Sequence, residues 1–546
     1  MKGAQAIARV LKAEGAECLF CFPVNHVIDA AAELDIRPIM ARTERTLIGM
    51  ADGFTRVSNG RRIGVCAVQM GPGVENSFGG IAQAFSDSTP ILLIAGGVAS
   101  SRTSVLPNFE AVPPYQHITK WAARINAVER ISEFLRRAYT YLRTGRPSPV
   151  LLEAPMDLMV AELAESAFRY SPVRSPSSMA SPADVADAVK ALVAARRPLI
   201  QAGLGILYAE AWDELRELAE LLQAPVMTTL PGKSAFPEDH ALSLGSGGLA
   251  GPRAAAQFLK ECDLIFGAGS SLSVTPFGAP IPRGRTTIQL TVDERDLNKD
   301  GATDLPLLGN AKLVLQQMIE ETRKQLGPDG RRGDGQAARE IAQIKEAWLG
   351  EWMPKLTSDE VPLNPYRVLW DLIHTLDLRN TIATHDAGSP RDQMSPFWPA
   401  LTPNSYVGWG KSTHLGYGLP LAMGAKVAQP GKTVVNVMGD AAFGMSGLDV
   451  ETAARNRIGT LTVILNNGCL GGYEKWLPIA TQKYGTRYLT GDYARVAEGL
   501  GAYVEKIDQP SDIVPAVRRA QEVTAGGRPA VLECITKEET QLSVYW

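Results

Sequence analysis

The sequence predicts an α/β protein of three domains, each with a mostly parallel sheet flanked by helices. Three observations predict it. At 546 residues the chain is too long for one core, and domains of roughly 100–200 residues put the number near three. Short apolar runs rich in Val, Ile and Leu alternate with amphipathic stretches of helical period, the pattern of successive β-α-β units. Two segments interrupt the alternation: a Pro/Ser-rich stretch at 170–182 (YSPVRSPSSMASP), and a Gly/Arg/Asp-rich stretch at 328–336 followed by a charged helix over 340–351. The expected domains are residues 1–168, 183–326 and 360–546.

Composition narrows the function. The chain is 45% hydrophobic and 21% charged with a formal net charge of −3, and it has no long basic block, so nucleic acid and anionic membrane are not expected partners. It has no apolar run of about eighteen residues, and its first residues, MKGAQAIARVLKAEGAE, read as an amphipathic helix rather than a signal peptide; a cytoplasmic location is expected. Six cysteines in so long a chain make no disulfide framework. Cys18 and Cys21 form a CxxC, but inside the strand-like run CLFCF and without a second pair, so they read as buried structural residues.

In the first domain, a helix over 4–16 leads to a strand over 18–22, a helix over 27–34 and a strand over 36–41. Glu44 follows, ahead of a helix over 47–57; by itself it reads as a first-turn carboxylate favoured by the helix dipole. A strand over 63–68 runs into Gly71-Pro72-Gly73, with Asn76 one turn into the next helix; such a turn lets backbone approach a ligand, though alone it is only a turn signal. Strands over 91–95 and 150–154 complete the domain. The second domain is expected from strands over 198–205, 225–229, 264–268 and 287–292 and a helix over 212–222. Gly203-Leu204-Gly205 lacks the third glycine of a dinucleotide fingerprint and reads as a turn.

In the third domain a strand over 381–385 ends in Asp386-Ala387-Gly388-Ser389, where backbone amides are placed to cradle a diphosphate. A Gly-rich stretch, GWGKSTHLGYGLP, precedes a helix over 419–428. The most informative stretch is GDAAFGMSGLDVETAARNRIGTLTVILNNG, a β-α-β unit with strands over 433–438 and 461–465 and a helix over 448–457. Asp440 follows its first strand and Asn467 its second. Both are also ordinary turn residues. Together they offer hard oxygen ligands suited to Mg²⁺ beside a phosphate.

The spacing from Asp440 to Asn467 resembles the GDG-to-NN signature of the thiamine diphosphate enzymes, with Ala441 where the third motif residue is usually Gly. ERTLIGMADGFTRVSNGR resembles the segment carrying the catalytic glutamate of their pyrimidine-binding domain, with Thr43 where His often precedes Glu44. The stretch LPGKSAFPEDHALSLGSGG resembles the central domain of the acetolactate synthase group, in which some members hold FAD or a nucleotide and others nothing. The resemblance covers nearly the whole chain, and names the three domains pyrimidine-binding, central and diphosphate-binding.

The resemblance implies a cofactor, thiamine diphosphate, and a metal, Mg²⁺, held by Asp440, Asn467 and the Cys469 carbonyl, with FAD left open. Gly71, Pro72, Gly73, Asn76, Gly388, Ser389, His414, Leu415, Gly439, Asp440, Ala441, Ala442, Asn467, Cys469 and Leu470 are the implied cofactor contacts. Leu415 wedges between the cofactor rings and Glu44 activates the pyrimidine, reaching a cofactor held by another chain, so a homodimer or tetramer is implied. His26, Gln116, His385 and Tyr473 are candidate substrate contacts, with a structural role equally open for His385 and His414. The tail after residue 536, with its EETQLSVYW, either folds over the site or frays. The implied reaction is decarboxylation of a small-molecule 2-oxo acid with carboligation or aldehyde release, as in the acetolactate synthase large subunit. The alternative is a carbon–carbon lyase acting on a 2-hydroxyacyl or oxalyl thioester. A nicotinamide oxidoreductase is disfavoured because no complete GxGxxG follows a strand, and a dead homologue because Glu44 and the metal pair are present.

Overall fold

The computed structural model describes residues 1–331 and 335–546, so part of the loop expected over 328–336 lies outside the described residues. It contains three six-stranded sheets in which every neighbouring pair of strands is parallel. The first is formed by β1 (Cys18–Cys21), β2 (Arg37–Met40), β3 (Gly64–Val68), β4 (Ile91–Gly97), β5 (Trp121–Arg124) and β6 (Val150–Pro155), in the order β2-β1-β3-β4-β6-β5. The second has β7 (Pro198–Ala202), β8 (Val226–Thr229), β9 (Ser243–Gly247), β10 (Leu264–Ala268), β11 (Thr286–Thr291) and β12 (Leu305–Leu308), ordered β12-β11-β10-β7-β8-β9. The third has β13 (Thr381–His385), β14 (Tyr406–Val407), β15 (Thr433–Gly439), β16 (Leu461–Asn466), β17 (Tyr503–Ile507) and β18 (Ala530–Ile535), ordered β14-β13-β15-β16-β18-β17. The first and third sheets thus share one topology, and the second has the symmetric doubly wound order.

The inner strands are buried along their whole length, as in β3, β4 and β10. Helices cover both faces of a parallel sheet, which is why these strands read as continuous apolar runs rather than as alternation. Ligands bind at the carboxyl ends of such strands where the order reverses. In the third sheet that point lies between β13 and β15, flanked by the loop at Gly388 and by Asp440. In the second it lies between β7 and β10, flanked by Gly203 and Gly269.

One apolar core runs continuously from the first domain into the third. Helix Glu44–Arg56 packs along helix Gly418–Ala428, and the approach is close because of glycine: a Cβ on Gly53 would lie 2.0 Å from the Leu421 carbonyl oxygen, and one on Gly424 1.8 Å from that of Met50.

Several boundaries differ from the sequence expectation. Glu44 is the first residue of its helix rather than preceding it, because Thr43 takes the N-cap position and its hydroxyl accepts the Thr46 N–H. A helix begins at Asp440 itself and is followed by a separate one, Val450–Asn456, where a single helix over 448–457 was expected. The second sheet has two more strands, β9 and β12, than the four expected. The stretch 170–181 is irregular yet not loose. Tyr170 and the Val173 N–H both donate to Glu14, and Ser175 donates to the Arg143 carbonyl, so its polar groups are satisfied against the first domain.

Candidate functional site

The sequence-predicted residues fall into two groups. In the third domain, β15 delivers Asp440 to the start of helix Asp440–Ser446, and β16 delivers Asn466 and Asn467 beside it. Asp440 Oδ1 accepts the Ala441 N–H at 2.8 Å, while Oδ2 is buried without any partner. Burial raises the Asp440 pKa, and the Ala441 and Gly468 amides pull it back, which places the Gly468 backbone against the carboxylate. Asn467 Oδ1 accepts the Cys469 N–H at 3.0 Å and Asn466 Oδ1 the Gly468 N–H at 3.0 Å, folding the chain back on itself with Gly468 at φ 65°. Leu470 N–H donates to the Arg487 carbonyl, so the loop is tied from outside as well. Among the described residues no cluster of three His, Cys, Asp or Glu side chains makes a metal site.

The loop after β13 joins this group. A Cβ on Gly471 would lie 3.3 Å from Ser389 Oγ and 3.4 Å from Asn467 Nδ2, and one on Gly439 4.0 Å from Pro390. Gly388, at φ 84°, faces open space. The Gly-rich stretch closes over from the side: a Cβ on Gly416 would sit 3.1 Å from the Ala442 carbonyl oxygen, and the half-buried Leu415 packs against the core shared by the first and third domains. What holds that stretch is Asp386, whose carboxylate accepts the N–H groups of Gly416, Gly418 and Ala387, each at 2.8 Å. Burial still lifts the Asp386 pKa to about 6 against those three donors. Sequence reading named Asp386 at the strand's carboxyl end, ahead of Ala387-Gly388, but gave it no role.

The second group lies in the first domain. Glu44 is 4% exposed, and its Oε2 accepts from Asn76 Nδ2 at 3.3 Å. A Cβ on Gly73 would lie 3.5 Å from Glu44 Oε1. Gly71 takes φ 64° as the N-cap of helix Pro72–Ser86, with Pro72 in its first turn. Glu44, Gly73 and Asn76 therefore converge at the carboxyl end of β3. Beside Glu44, Arg45 reaches the third-domain group: a Cβ on Gly416 would lie 3.1 Å from its Nη2, and its Nε and Nη2 are buried without partners. This cation too escaped the sequence reading.

The candidate substrate contacts do not gather at one place. His385 is fully buried, its ring stacked on Trp409 with centroids 5.3 Å apart, and burial with the nearby Arg391 pushes its pKa down to about 3. A ring with no exposed surface has no face for a substrate, so His385 is a core residue here. His414 is half-buried, stacks with Tyr417 and lies against Gly79 of helix Pro72–Ser86; burial and Arg45 lower its pKa to about 4, which keeps it neutral near pH 7. His26 and Gln116 are exposed on the first domain, and Tyr473 is 51% exposed on the loop after Cys469.

The third-domain group fits a magnesium diphosphate. A buried carboxylate oxygen without a partner and the side-chain amide of the adjoining Asn467 loop form a hard-oxygen donor set, and the open space before Gly388 admits an anionic group to the start of a helix.

Three family models match this chain in order: the thiamine pyrophosphate enzyme N-terminal TPP binding domain over residues 1–123, the central domain over 185–318, and the C-terminal TPP binding domain over 386–534. The chain is 31% identical to a probable acetolactate synthase large subunit of Methanocaldococcus jannaschii, covering 95% of this chain and 90% of that one. It is 28% identical to the acetolactate synthase isozyme 3 large subunit of Escherichia coli K12, covering 97% and 93%, and 28% identical to a glyoxylate carboligase of Escherichia coli O157:H7, covering 100% and 94%. Matched to all three domain models in sequence order, and alike to acetolactate synthase large subunits over nearly its whole length, the chain belongs to the thiamine pyrophosphate enzymes.

Proposed function

We propose that this enzyme decarboxylates a 2-oxo acid with thiamine diphosphate and Mg²⁺ and passes the aldehyde-level fragment to an acceptor, or releases it. The observation that carries the proposal is the unpartnered, buried Asp440 Oδ2 beside the Asn467 loop, at the reversal point of the third sheet, in a chain of this family. When bound, thiamine diphosphate supplies the carbanion stabilisation that the reaction needs.

The residues divide the remaining work. Asp440, Asn467 and the Cys469 carbonyl would hold the metal. Gly388, Ser389, Gly439, Ala441, Ala442 and Leu470 would line the diphosphate, and Leu415 would support the rings from the stretch that Asp386 holds. Gly71, Pro72, Gly73 and Asn76 would line the pyrimidine, where Glu44 would share a proton with the ring nitrogen. Domain limits of 1–168, 183–326 and 360–546 go with this division.

A second copy of the chain completes the site in this reading. Support comes from the apolar residues after the third-domain loop, where Trp476 is 72%, Ile479 67% and Tyr484 79% exposed. Among the described residues no helix is long and apolar enough to cross a membrane, and a cytoplasmic enzyme fits the proposal.

The second domain holds a cavity of about 580 Å³ at its own reversal point. Gly203 and Gly205, read as a turn from the sequence, instead start a helix: Gly203 is the N-cap and Gly205 the second residue of helix Leu204–Tyr208, their amides donate to the Ala268 and Gly269 carbonyls at 2.9 Å, and the cavity opens beside them. FAD, if bound there, has a structural role, because neither decarboxylation nor carboligation moves net electrons.

The test is a panel of 2-oxo acids, pyruvate and glyoxylate included, and of hydroxyacyl thioesters, with and without thiamine diphosphate and Mg²⁺. Consumption of a 2-oxo acid that requires both additions is the expected result. Turnover confined to the thioesters would replace this reading with the lyase.

A further inference from the structure

In the third sheet β16 and β18 run parallel, with Ile464 beside Glu533 and Asn466 beside Ile535. Side chains alternate between the faces of a strand, so Asn466 and Glu533 share a face as diagonal neighbours. They meet there: Glu533 Oε1 accepts from Asn466 Nδ2 at 2.7 Å. On the other side of β16, β15 sets Met438 beside Ile464, and two residues on, just past the strand, is Asp440.

Glu533 is fully buried and forms no ion pair among the described residues. Its second oxygen, Oε2, accepts the Ala494 N–H at 2.8 Å, so both oxygens are held by neutral donors. A buried carboxylate is costly without a cation, and such groups are ordinarily paired or set beside a metal. The Glu533 charge reaches Asp440, where it adds to the burial that holds that carboxyl above its ordinary range. Two carboxylates therefore lie at one end of this sheet without a cation among the described residues, and one of them keeps an oxygen, Asp440 Oδ2, with no partner at all.

The contact to Asn466 is a relay. A side-chain amide can face either way, but an ionised carboxylate only accepts, so Glu533 draws the Asn466 Nδ2 to itself and leaves Oδ1 for the other side. There Oδ1 accepts the Gly468 N–H at 3.0 Å, which bends the chain after β16 with Gly468 at φ 65°. Asn467 Oδ1 then accepts the Cys469 N–H at 3.0 Å and closes the turn.

We propose that Glu533 is the positioning residue of the metal loop: it fixes the Asn466 amide so that the Asn467–Cys469 turn is formed in advance, and its buried charge raises the affinity for a divalent cation at Asp440 and Asn467. The inference rests on the reading above, in which Asp440, Asn467 and the Cys469 carbonyl hold Mg²⁺. Glu533 is not a ligand in this account; it acts through Asn466 and through its charge.

The experiment is calorimetric titration of Mg²⁺ into the full chain at saturating thiamine diphosphate, with the thermal midpoint of the metal-free chain measured beside it. Glu533→Gln keeps the shape and removes the charge, and should weaken Mg²⁺ binding roughly tenfold, the worth of one charge-assisted contact. Adding Asn466→Asp exchanges the two groups, keeps a donor and an acceptor at each contact and returns the charge, so the double variant should regain most of the lost affinity. Asn466→Ala cuts the same relay from its other end and should cost a similar factor, which keeps the test open if Glu533→Gln does not fold. A purely structural carboxylate would lower the metal-free midpoint and leave the Mg²⁺ affinity alone. Wild-type Mg²⁺ affinity in Glu533→Gln or in Asn466→Ala, whatever the midpoint, would therefore overturn the proposal. A folded double variant that binds Mg²⁺ as weakly as Glu533→Gln would overturn it too. Thiamine diphosphate binding to the wild type that is indifferent to Mg²⁺ would instead sink the metal reading, and the role of Glu533 with it.

Discussion

The carboxylate of Glu538 accepts the backbone N–H of Gly472 at 2.8 Å, so the chain beyond β18 grips the loop that carries Cys469 and Leu470. The same carboxylate pairs with Arg487 at 2.9 Å, and the Arg487 carbonyl in turn accepts the Leu470 N–H. Farther on, Ser543 donates to the Gly251 carbonyl at 2.8 Å, and Trp546 Nε1 donates to that of Leu249 at 3.2 Å. The tail is therefore a strap from the third domain to the second rather than a frayed end.

Glu538→Ala should loosen the metal-side loop while leaving the sheet intact. The carboxylate is partly exposed, so the loss is about 1 kcal/mol, or roughly fivefold in Mg²⁺-dependent cofactor affinity. Calorimetric titration of thiamine diphosphate at several Mg²⁺ concentrations checks it; an unchanged Mg²⁺ dependence would show that the strap does not act on the loop.

Asp440→Ala should abolish Mg²⁺-dependent cofactor binding, because it removes the one charged oxygen from a donor set that faces an anionic diphosphate. The same titration applies, and near-wild-type affinity would rule out the metal assignment.

Glu44→Gln should keep fold and cofactor but slow hydrogen–deuterium exchange at C2 of the bound cofactor by about 10²–10⁴-fold, the usual contribution of a positioned acid–base group. Quenched exchange followed by NMR reads this directly. Exchange as fast as in the wild type would leave Glu44 a helix-start carboxylate.

Arg56 is buried with Asp52 and Asp87, at 2.5 Å and 3.4 Å, and Tyr417 donates to Asp52 at 2.9 Å. Arg56→Met would leave two buried carboxylates without their cation, and such losses cost about 3–5 kcal/mol. A large fall in the thermal midpoint is expected; a fall of only a degree or two would mean that the carboxylates find other partners.

His385 has a folded-state pKa near 3, below the ordinary histidine value. Between about pH 3 and 6.5 the unfolded chain binds a proton that the folded chain does not, so stability is complete above that window and is lost as the pH falls through it, by up to about 1.4 kcal/mol per pH unit. His385→Phe keeps an aromatic ring on Trp409 and should flatten the slope of stability against pH between 4 and 6.5, read from denaturant midpoints. An unchanged slope would assign the acid sensitivity to other groups.

The sequence by itself determined the fold class, most strands of the first and third domains, and the position of Asp440 and Asn467 after the neighbouring strands β15 and β16. These are local signals: apolar runs long enough to be buried strands, and polar residues at their carboxyl ends. It did not determine the edge strands β5, β9, β12, β14 and β17: β5, β12 and β17 are only partly buried, β9 (SLGSG) is rich in Gly and Ser, and β14 is two residues long. Nor did it show that Asp386 holds the Gly416–Gly418 backbone, that His385 is sealed under Trp409, or that Lys411 lines the second domain's cavity. Those facts depend on contacts between residues apart in the chain: the folding of the third domain brings Asp386 to Gly416 and Gly418 and His385 to Trp409, and the packing of the three domains brings Lys411 to the cavity.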